Sequence, residues 1–238
     1  MRRFFTDRIA PDGLAELTGG DVNHIRDVLR MQPGDAVMLA ADGQDYAAEI
    51  VRIERAAVIC RAFRPVENLA EPRVEITLYQ GLPKGDKMEL IIQKCVELGI
   101  SAIVPVQCER SVARLTAENT DKKLTRWQRM AEEAAKQCGR GRVPVIGRPL
   151  TVPQVQAAGV GLFFWENESV RRLKAALPPD ANRISIFVGP EGGVSADEAA
   201  LLTAHGFLSV TLGARILRTE TAGLAAVSAI MYHYDELG

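Results

Sequence analysis

The stretch ISIFVGPEGGVSADE, residues 184–198, decides the fold class because it joins a strand, a glycine turn and the start of a helix. Residues 184–188 form an uninterrupted apolar run, which is typical of a strand that is buried on both faces. Three glycines and a proline lie within positions 189–193, and they indicate a tight turn whose backbone can approach a ligand closely. Ser195 and Glu198 have the spacing of a capping box, which predicts a helix from that point.

Strand and helix patterns alternate in the same way from Pro72 to the end of the sequence, and this alternation predicts a parallel α/β sheet. The predicted strands are Val74–Gln80, Ala102–Val106, Val143–Ile146, Gly161–Trp165, Ile184–Val188 and Ser209–Leu212. The predicted helices are Lys84–Leu98, Asp121–Cys138, the helix capped by Ser195, and Thr221–Glu236.

The first 65 residues differ, because short apolar stretches there are separated by turn residues. Residues 65–72 contain two prolines and no periodicity, which is typical of a linker. We therefore predict a small β-barrel domain in residues 1–68 and an α/β domain in residues 73–238. The predicted elements of the first domain are the helix Asp21–Leu29, the strands Ala36–Ala40, Tyr46–Ile53 and Ala57–Phe63, and turns at Pro33-Gly34-Asp35 and Asp42-Gly43.

The composition excludes several classes of protein. A hydrophobic content of 47% in 238 residues excludes a mostly disordered chain, and a net charge of −1 excludes a uniformly basic coat protein. The four cysteines and three histidines are scattered without a C-x-x-C pair, which argues against structural zinc or another metal. The N-terminus lacks the apolar core of a signal peptide, and Ala222–Met231 is too short to span a bilayer, so we expect a cytoplasmic protein.

Positive charge is concentrated in one region. Residues 110–148 contain ten basic and four acidic side chains, which gives this stretch a net charge of +6 and leaves −7 for the rest. Such a run fits a solvated helix face, and it equally fits a surface that contacts phosphates.

Common nucleotide and hydrolase signatures are missing, but two loops are unusual. The chain has no G-x-G-x-x-G or G-x-S-x-G, and GLPKGDK (81–87) lacks the spacing of a phosphate loop. Residues 189–193 and 212–222 both follow predicted strands, and the second combines a glycine with Arg215 and Arg218. Since ligands bind where parallel strands end, we take these loops as candidate ligand contacts, although a plain turn and solvated arginines also fit.

Six blocks of sequence occur in the order of a known family. They are HIRDVLRM (24–31), KGDKME (84–89), QKCVELG (93–99), QCGR (137–140), GPEGG (189–193) and LGARILRTETA (212–222). Together they closely resemble the small-subunit ribosomal RNA (uridine-N3) methyltransferases of the RsmE type, in the SPOUT (SpoU–TrmD) superfamily. The resemblance covers essentially the whole chain, and the ordered set is far more specific than any one block.

The resemblance implies a SPOUT-type α/β domain with a C-terminal trefoil knot, preceded by a small PUA-like or OB-like β-barrel. It implies a homodimer that binds S-adenosylmethionine and acts on the small ribosomal subunit. The implied reaction is methylation of N3 of one uridine, 1498 in customary 16S numbering, within the assembled 30S subunit.

The same resemblance implies roles for particular residues. Candidate catalytic residues are Arg218, Arg140 and Glu220. Candidate cofactor-binding residues are Trp165, Glu166, Gly189, Glu191, Gly192, Gly193, Leu212, Gly213, Ile216, Leu217, Arg218 and Thr219. Candidate RNA-binding residues are Arg26, Arg30, Lys84, Arg110, Arg114, Arg140 and Arg142.

Other functions stay open at this point. The chain fits a non-catalytic RNA-binding assembly factor, which S-adenosylmethionine affinity would distinguish. It also fits a SPOUT methyltransferase for another RNA position, which the identity of the modified nucleoside would distinguish. Glu220 fits a carboxylate that stabilises a helix N-terminus as well as it fits an acid–base group.

Overall fold

A computed structural model describes residues 1–41 and 43–237, so Asp42 of the predicted Asp42-Gly43 turn lies outside the described residues. The chain divides into two units. The first contains Met1–Glu71 together with Ala135–Arg142, and the second contains Pro72–Ala134 together with the chain from Val143 onwards.

The first unit is built on a five-stranded sheet in the order β1-β3-β4-β5-β2. The first strand is parallel to β3, and the other pairs are antiparallel. The Thr6 hydroxyl, directly after β1, lies 3.3 Å from the Glu16 carbonyl oxygen of β2, so the two end strands of the sheet approach each other at this point. The strands are β1 (Arg2–Phe5), β2 (Leu14–Thr18), β3 (Ala36–Ala41), β4 (Gln44–Ile53) and β5 (Ala57–Val66).

The helix predicted at Asp21–Leu29 is only partly α-helical. Helix α1 covers Gly20–Asn23, and the chain then widens into a π-helical turn at His24–Val28. The turn ends at Arg30, whose φ of 52° places it in the left-handed region that breaks a helix.

The second unit contains a seven-stranded sheet in which every pairing is parallel, as the sequence predicts. The strand order is β12-β10-β11-β6-β7-β8, and β9 also pairs with β7. The strands are β6 (Glu75–Gly81), β7 (Ala102–Gln107), β8 (Val145–Ile146), β9 (Leu150–Thr151), β10 (Val160–Phe164), β11 (Arg183–Val188) and β12 (Phe207–Val210).

The four predicted helices are present with shifted ends, and one further short helix, α4, was not predicted. Helix α2 begins three residues later than predicted, because Gly85 has a φ of 61° and ends the preceding loop. Within residues 1–41 and 43–237, no helix combines the length and apolar character that a membrane span requires. The helices are α2 (Lys87–Glu97), α3 (Ala117–Cys138), α4 (Leu173–Ala176), α5 (Ala196–Ala204) and α6 (Thr219–His233).

The strand order fixes where a ligand site can form. Side chains on one face of the sheet, including Phe163, Phe187 and Phe207, pack with Ala199 and Leu202 of α5. The strands β10, β11 and β12 are parallel neighbours, so their carboxyl ends lie at one edge and the loops that follow them are gathered together.

Candidate functional site

A cavity of about 1280 Å³ opens at the carboxyl ends of β10, β11 and β12. The loops that follow these three strands form most of its walls, and α4, α6 and the first residue of α2 contribute to the lining. This volume exceeds that of most small-molecule pockets, so it can hold a ligand of nucleoside size beside part of a second one.

The structure brings almost all the predicted cofactor-binding residues to this cavity. Gly192 is the exception among the predicted set and is absent from the described residues that line it. A Cβ at Gly192 would lie 2.8 Å from the Cβ of Arg110 and 2.9 Å from its carbonyl oxygen, so this glycine allows another loop to approach. The predicted residues that line the cavity are Trp165, Glu166, Gly189, Glu191, Gly193, Leu212, Gly213, Ile216, Leu217, Arg218 and Thr219.

The loop after β11 requires glycine for two reasons. Gly193 has a φ of 73°, which side chains rarely adopt, and a Cβ there would lie 3.0 Å from Glu166 Oε1. A Cβ at Gly189 would lie 2.9 Å from the Val194 side chain. Both glycines line the cavity, so the backbone of this loop forms part of its wall.

The loop after β10 is fixed to its neighbours by Trp165 and Glu168. The Trp165 indole donates a 3.3 Å hydrogen bond to the Val194 carbonyl. Glu168 accepts hydrogen bonds from the Ser209 hydroxyl at 2.6 Å and from the backbone N–H groups of Val170 and Arg171. The Ser209 bond and these backbone bonds lower the pKa of Glu168 to about 2.

We expect Glu168→Gln to lower the free energy of unfolding at neutral pH. We also expect that free energy to depend less on pH in the variant than in the wild type. Because the pKa of Glu168 is lowered in the folded state, the stabilisation is complete above the ordinary value of 4.5 and is lost as the pH falls toward 2. Urea unfolding midpoints at pH 7, 4 and 2.5 measure this effect. Glu118→Gln, at an exposed position on α3, is the control. An equal loss at all three pH values for Glu168→Gln would contradict the assignment.

Lys87, at the start of α2, was not among the predicted site residues. Its ammonium lies 2.9 Å from Glu191 Oε1 and 3.1 Å from Glu220 Oε2. Lys87 and Glu191 line the cavity, whereas the predicted catalytic residue Glu220 does not and lines a separate groove on α2 and α6. Burial alone would raise the pKa values of both carboxyl groups, but bonds to Lys87 and to the backbone lower them below the usual range. Both groups are therefore ionised near neutral pH, and Glu220 is engaged in an ion pair.

The candidate catalytic arginines occupy different environments. Arg218 is exposed, lines the cavity and directly precedes α6. Arg140 lies in the first unit, is 4% exposed, and donates a 3.0 Å bond from its guanidinium to Glu71.

The remaining RNA-binding candidates are all exposed, and their contacts differ. Arg26 bonds to Asp27 and Asn23, whereas Arg110 donates to the Gly192 carbonyl at 3.2 Å. In the basic stretch, five of the ten cations form ion pairs with acids of their own unit. The five that form no ion pair with a described residue are Arg110, Arg114, Lys122, Lys123 and Arg142. No group of three or more potential metal ligands occurs in the described part of the chain.

Comparison with known proteins gives matches over the full length. The model of an RNA methyltransferase domain matches residues 70–231, and that of an RNA methyltransferase PUA domain matches residues 17–63. Ribosomal RNA small subunit methyltransferase E of Bacillus subtilis (strain 168) is 34% identical, with 100% of this chain and 98% of the relative covered. The protein of that name from Mycobacterium bovis is 33% identical over 95% of this chain and 90% of its own length.

Solved structures give the same answer for the fold. The ribosomal RNA small subunit methyltransferase E from Neisseria gonorrhoeae, bound to S-adenosyl methionine, has a TM-score of 0.85 and 32% identity, with 97% of each chain covered. A methyltransferase from Legionella pneumophila, also in complex with the cofactor, has a TM-score of 0.85 and 31% identity. The match covers 97% of this chain and 96% of that one.

Proposed function

The chain belongs to the ribosomal RNA small subunit methyltransferase E family, and from this membership we propose that it transfers the methyl group of S-adenosylmethionine to N3 of one uridine in 16S ribosomal RNA. The observation that carries the proposal is the single cavity that gathers eleven of the twelve predicted cofactor-binding residues from three separate loops.

The residues at this cavity fit S-adenosylmethionine. Gly193 keeps open a cradle that a Cβ would fill, and Gly189 brings the backbone to the same wall. Leu212, Ile216 and Leu217 would provide apolar surface for the adenine ring. The relatives from Neisseria and Legionella that contain this molecule support the assignment.

The proposed chemistry requires the uridine N3 proton to leave, because a neutral imide nitrogen has no free lone pair. S-adenosylmethionine supplies an electrophilic methyl group when bound. We assign Arg218 to the uridine carbonyls, where its guanidinium stabilises the negative charge that develops as N3 loses its proton. Glu220 is the candidate proton acceptor from this chain; it lies outside the cavity lining, next to Lys87, which holds it in the ionised form.

The finer features of the proposal have independent support. The strand β12 is at the sheet edge, yet Thr219 at the start of α6 bonds to Gly189 at the end of β11, two strands inward. This return of the chain across the strand ends supports the proposed trefoil knot. An apolar groove of about 520 Å³ on α2 and α6, lined by Leu90, Leu98 and Leu224, supports a homodimer.

We further propose that the substrate is uridine 1498 of the assembled 30S subunit in the cytoplasm, and that exposed basic side chains contact its RNA. Arg110, Arg114 and Lys84 belong to the unit that contains the cavity. Arg26, Arg30 and Arg142 belong to the first unit, as does Arg140, which is buried and paired with Glu71 and so is not one of these exposed side chains.

The test uses small ribosomal subunits from a strain that lacks this activity, together with methyl-labelled S-adenosylmethionine. Label in 3-methyluridine at one position supports the reaction, the atom and the substrate together. Label in another nucleoside contradicts the uridine-N3 assignment. Absence of both label and S-adenosylmethionine binding favours a non-catalytic assembly factor. Free 16S RNA serves as the comparison substrate, and equal labelling of it would contradict the requirement for the assembled subunit.

A further inference from the structure

Gln80 is a fully buried polar residue near the end of the central strand β6, where apolar side chains are the rule. Its side-chain amide donates hydrogen bonds of 3.0 Å to the Gly81 carbonyl and 2.9 Å to the Thr219 hydroxyl. Its Oε1 atom is buried and has no hydrogen-bond partner among the described residues. A buried acceptor without a partner is unfavourable, so stability alone does not account for this side chain.

The Thr219 hydroxyl extends the chain of hydrogen bonds to the glycine loop. It donates to the Gly189 carbonyl at 2.6 Å, and this donation uses its only proton. The hydroxyl can then only accept from Gln80, which fixes the orientation of the Gln80 amide. The resulting order is Gln80 to Thr219 to Gly189.

These bonds connect the two loops that hold the proposed methyl donor. Gly189 begins the loop after β11, and Thr219 ends the loop after β12 where α6 begins. Both residues line the cavity, whereas Gln80 lies beneath them in the sheet. The Thr219 hydroxyl is the side-chain group that connects Gln80 to the cavity wall.

We infer that Gln80 is a positioning residue for the methyl donor: through the Thr219 hydroxyl it sets the spacing between the loop at Gly189 and the loop that leads into α6. This inference rests on the proposed function for the identity of the ligand. The link between the two loops itself stands on the geometry of the protein alone.

Isosteric substitutions test the link. Thr219→Val removes the hydroxyl at constant shape, Thr219→Ser retains it, and Gln80→Leu removes the amide. We expect Thr219→Val and Gln80→Leu each to weaken S-adenosylmethionine binding about tenfold in calorimetry, the equivalent of one hydrogen bond. Thr219→Ser should bind within about twofold of the wild type. The variant that combines Gln80→Leu with Thr219→Val should bind S-adenosylmethionine as tightly as the single variant with the lower affinity. The reason is that both changes break the same chain of hydrogen bonds. Wild-type affinity in Thr219→Val or Gln80→Leu would overturn the inference.

Ser185→Ala is the matched control for loss of stability. Ser185 is 1% exposed in the neighbouring strand β11, and its hydroxyl bonds to the backbone of Ala158 toward the opposite end of the sheet. We expect its thermal midpoint to fall while S-adenosylmethionine affinity is unchanged. If Ser185→Ala also weakened S-adenosylmethionine binding, the loss of affinity in Gln80→Leu would be explained by general destabilisation. That result would overturn the inference.

Hydrogen exchange of the unloaded protein separates this inference from the proposed function. Amides in residues 189–193 and 212–218 should exchange faster in Thr219→Val and Gln80→Leu than in the wild type or Ser185→Ala. If the wild type fails to bind S-adenosylmethionine, the proposed function fails, and exchange in the two loops still decides whether they are linked. Unchanged exchange in both variants would overturn the link.

Discussion

Arg218→Ala should lower methyl transfer to 16S RNA by a factor of about 100 to 1000 while leaving the fold intact, the range found when one donor to a developing oxyanion is removed. Its guanidinium is exposed at the cavity and forms no ion pair with a described residue. The first turn of α6 bonds to the Arg218 carbonyl, which accepts from Thr221 and Ala222, so the side chain can be removed without loss of these bonds.

Single-turnover rates at saturating S-adenosylmethionine measure this effect, and circular dichroism verifies the fold. Arg215→Ala is the matched control, because Arg215 is an exposed arginine of the same loop that also lines the cavity. We expect it to retain at least a third of the wild-type rate. Wild-type turnover in Arg218→Ala would remove Arg218 from the mechanism.

Gly193→Val should weaken S-adenosylmethionine binding by about a hundredfold or more, equivalent to about 2.7 kcal/mol. The substituted residue would have to hold a φ of 73°, and its Cβ would lie 3.0 Å from Glu166 Oε1. The carboxylate would have to move, and the two added methyl groups would occupy space at the cavity wall. Isothermal titration calorimetry measures the affinity directly.

Gly34→Val separates backbone strain from the effect on the cavity. Gly34 has a φ of 93° in the first unit, and a Cβ there would have no neighbour within 4 Å. Both variants should lose stability by about 1–2 kcal/mol through the left-handed backbone, as unfolding in urea would report. Only Gly193→Val should lose affinity, and comparable loss in Gly34→Val would contradict a local role for Gly193.

The parallel sheet and the loops that line the cavity were predictable from sequence because their signals are local. Apolar runs, a capping box and clustered glycines each occupy a few consecutive residues, and the structure confirms the sheet that they predict. The strands β1 and β2 escaped prediction because each is short and carries charged residues, such as Arg2, Arg3 and Glu16. The π-helical turn escaped because its side-chain spacing resembles that of an α-helix.

Contacts between distant positions were not predictable in the same way. Lys87 is 104 residues from Glu191, and no local pattern indicates that this lysine meets two carboxylates. Gln80 looks like an ordinary strand residue until Thr219, 139 residues later, is placed beside it. Gly192 was predicted to bind the cofactor because it belongs to the glycine loop. In the structure it packs against Arg110 and does not line the cavity.

The all-parallel sheet has a consequence for how the chain matures during synthesis. The strand β6 is the first strand of this sheet to be synthesised, and its neighbour β11 begins 108 residues later. One edge of β6 therefore has no partner strand until most of the chain has been made. Such distant pairings favour slow folding. The helix α6 comes last and supplies Thr219, so an incomplete chain has no finished cavity, and ligand binding reports that synthesis has reached the final helix.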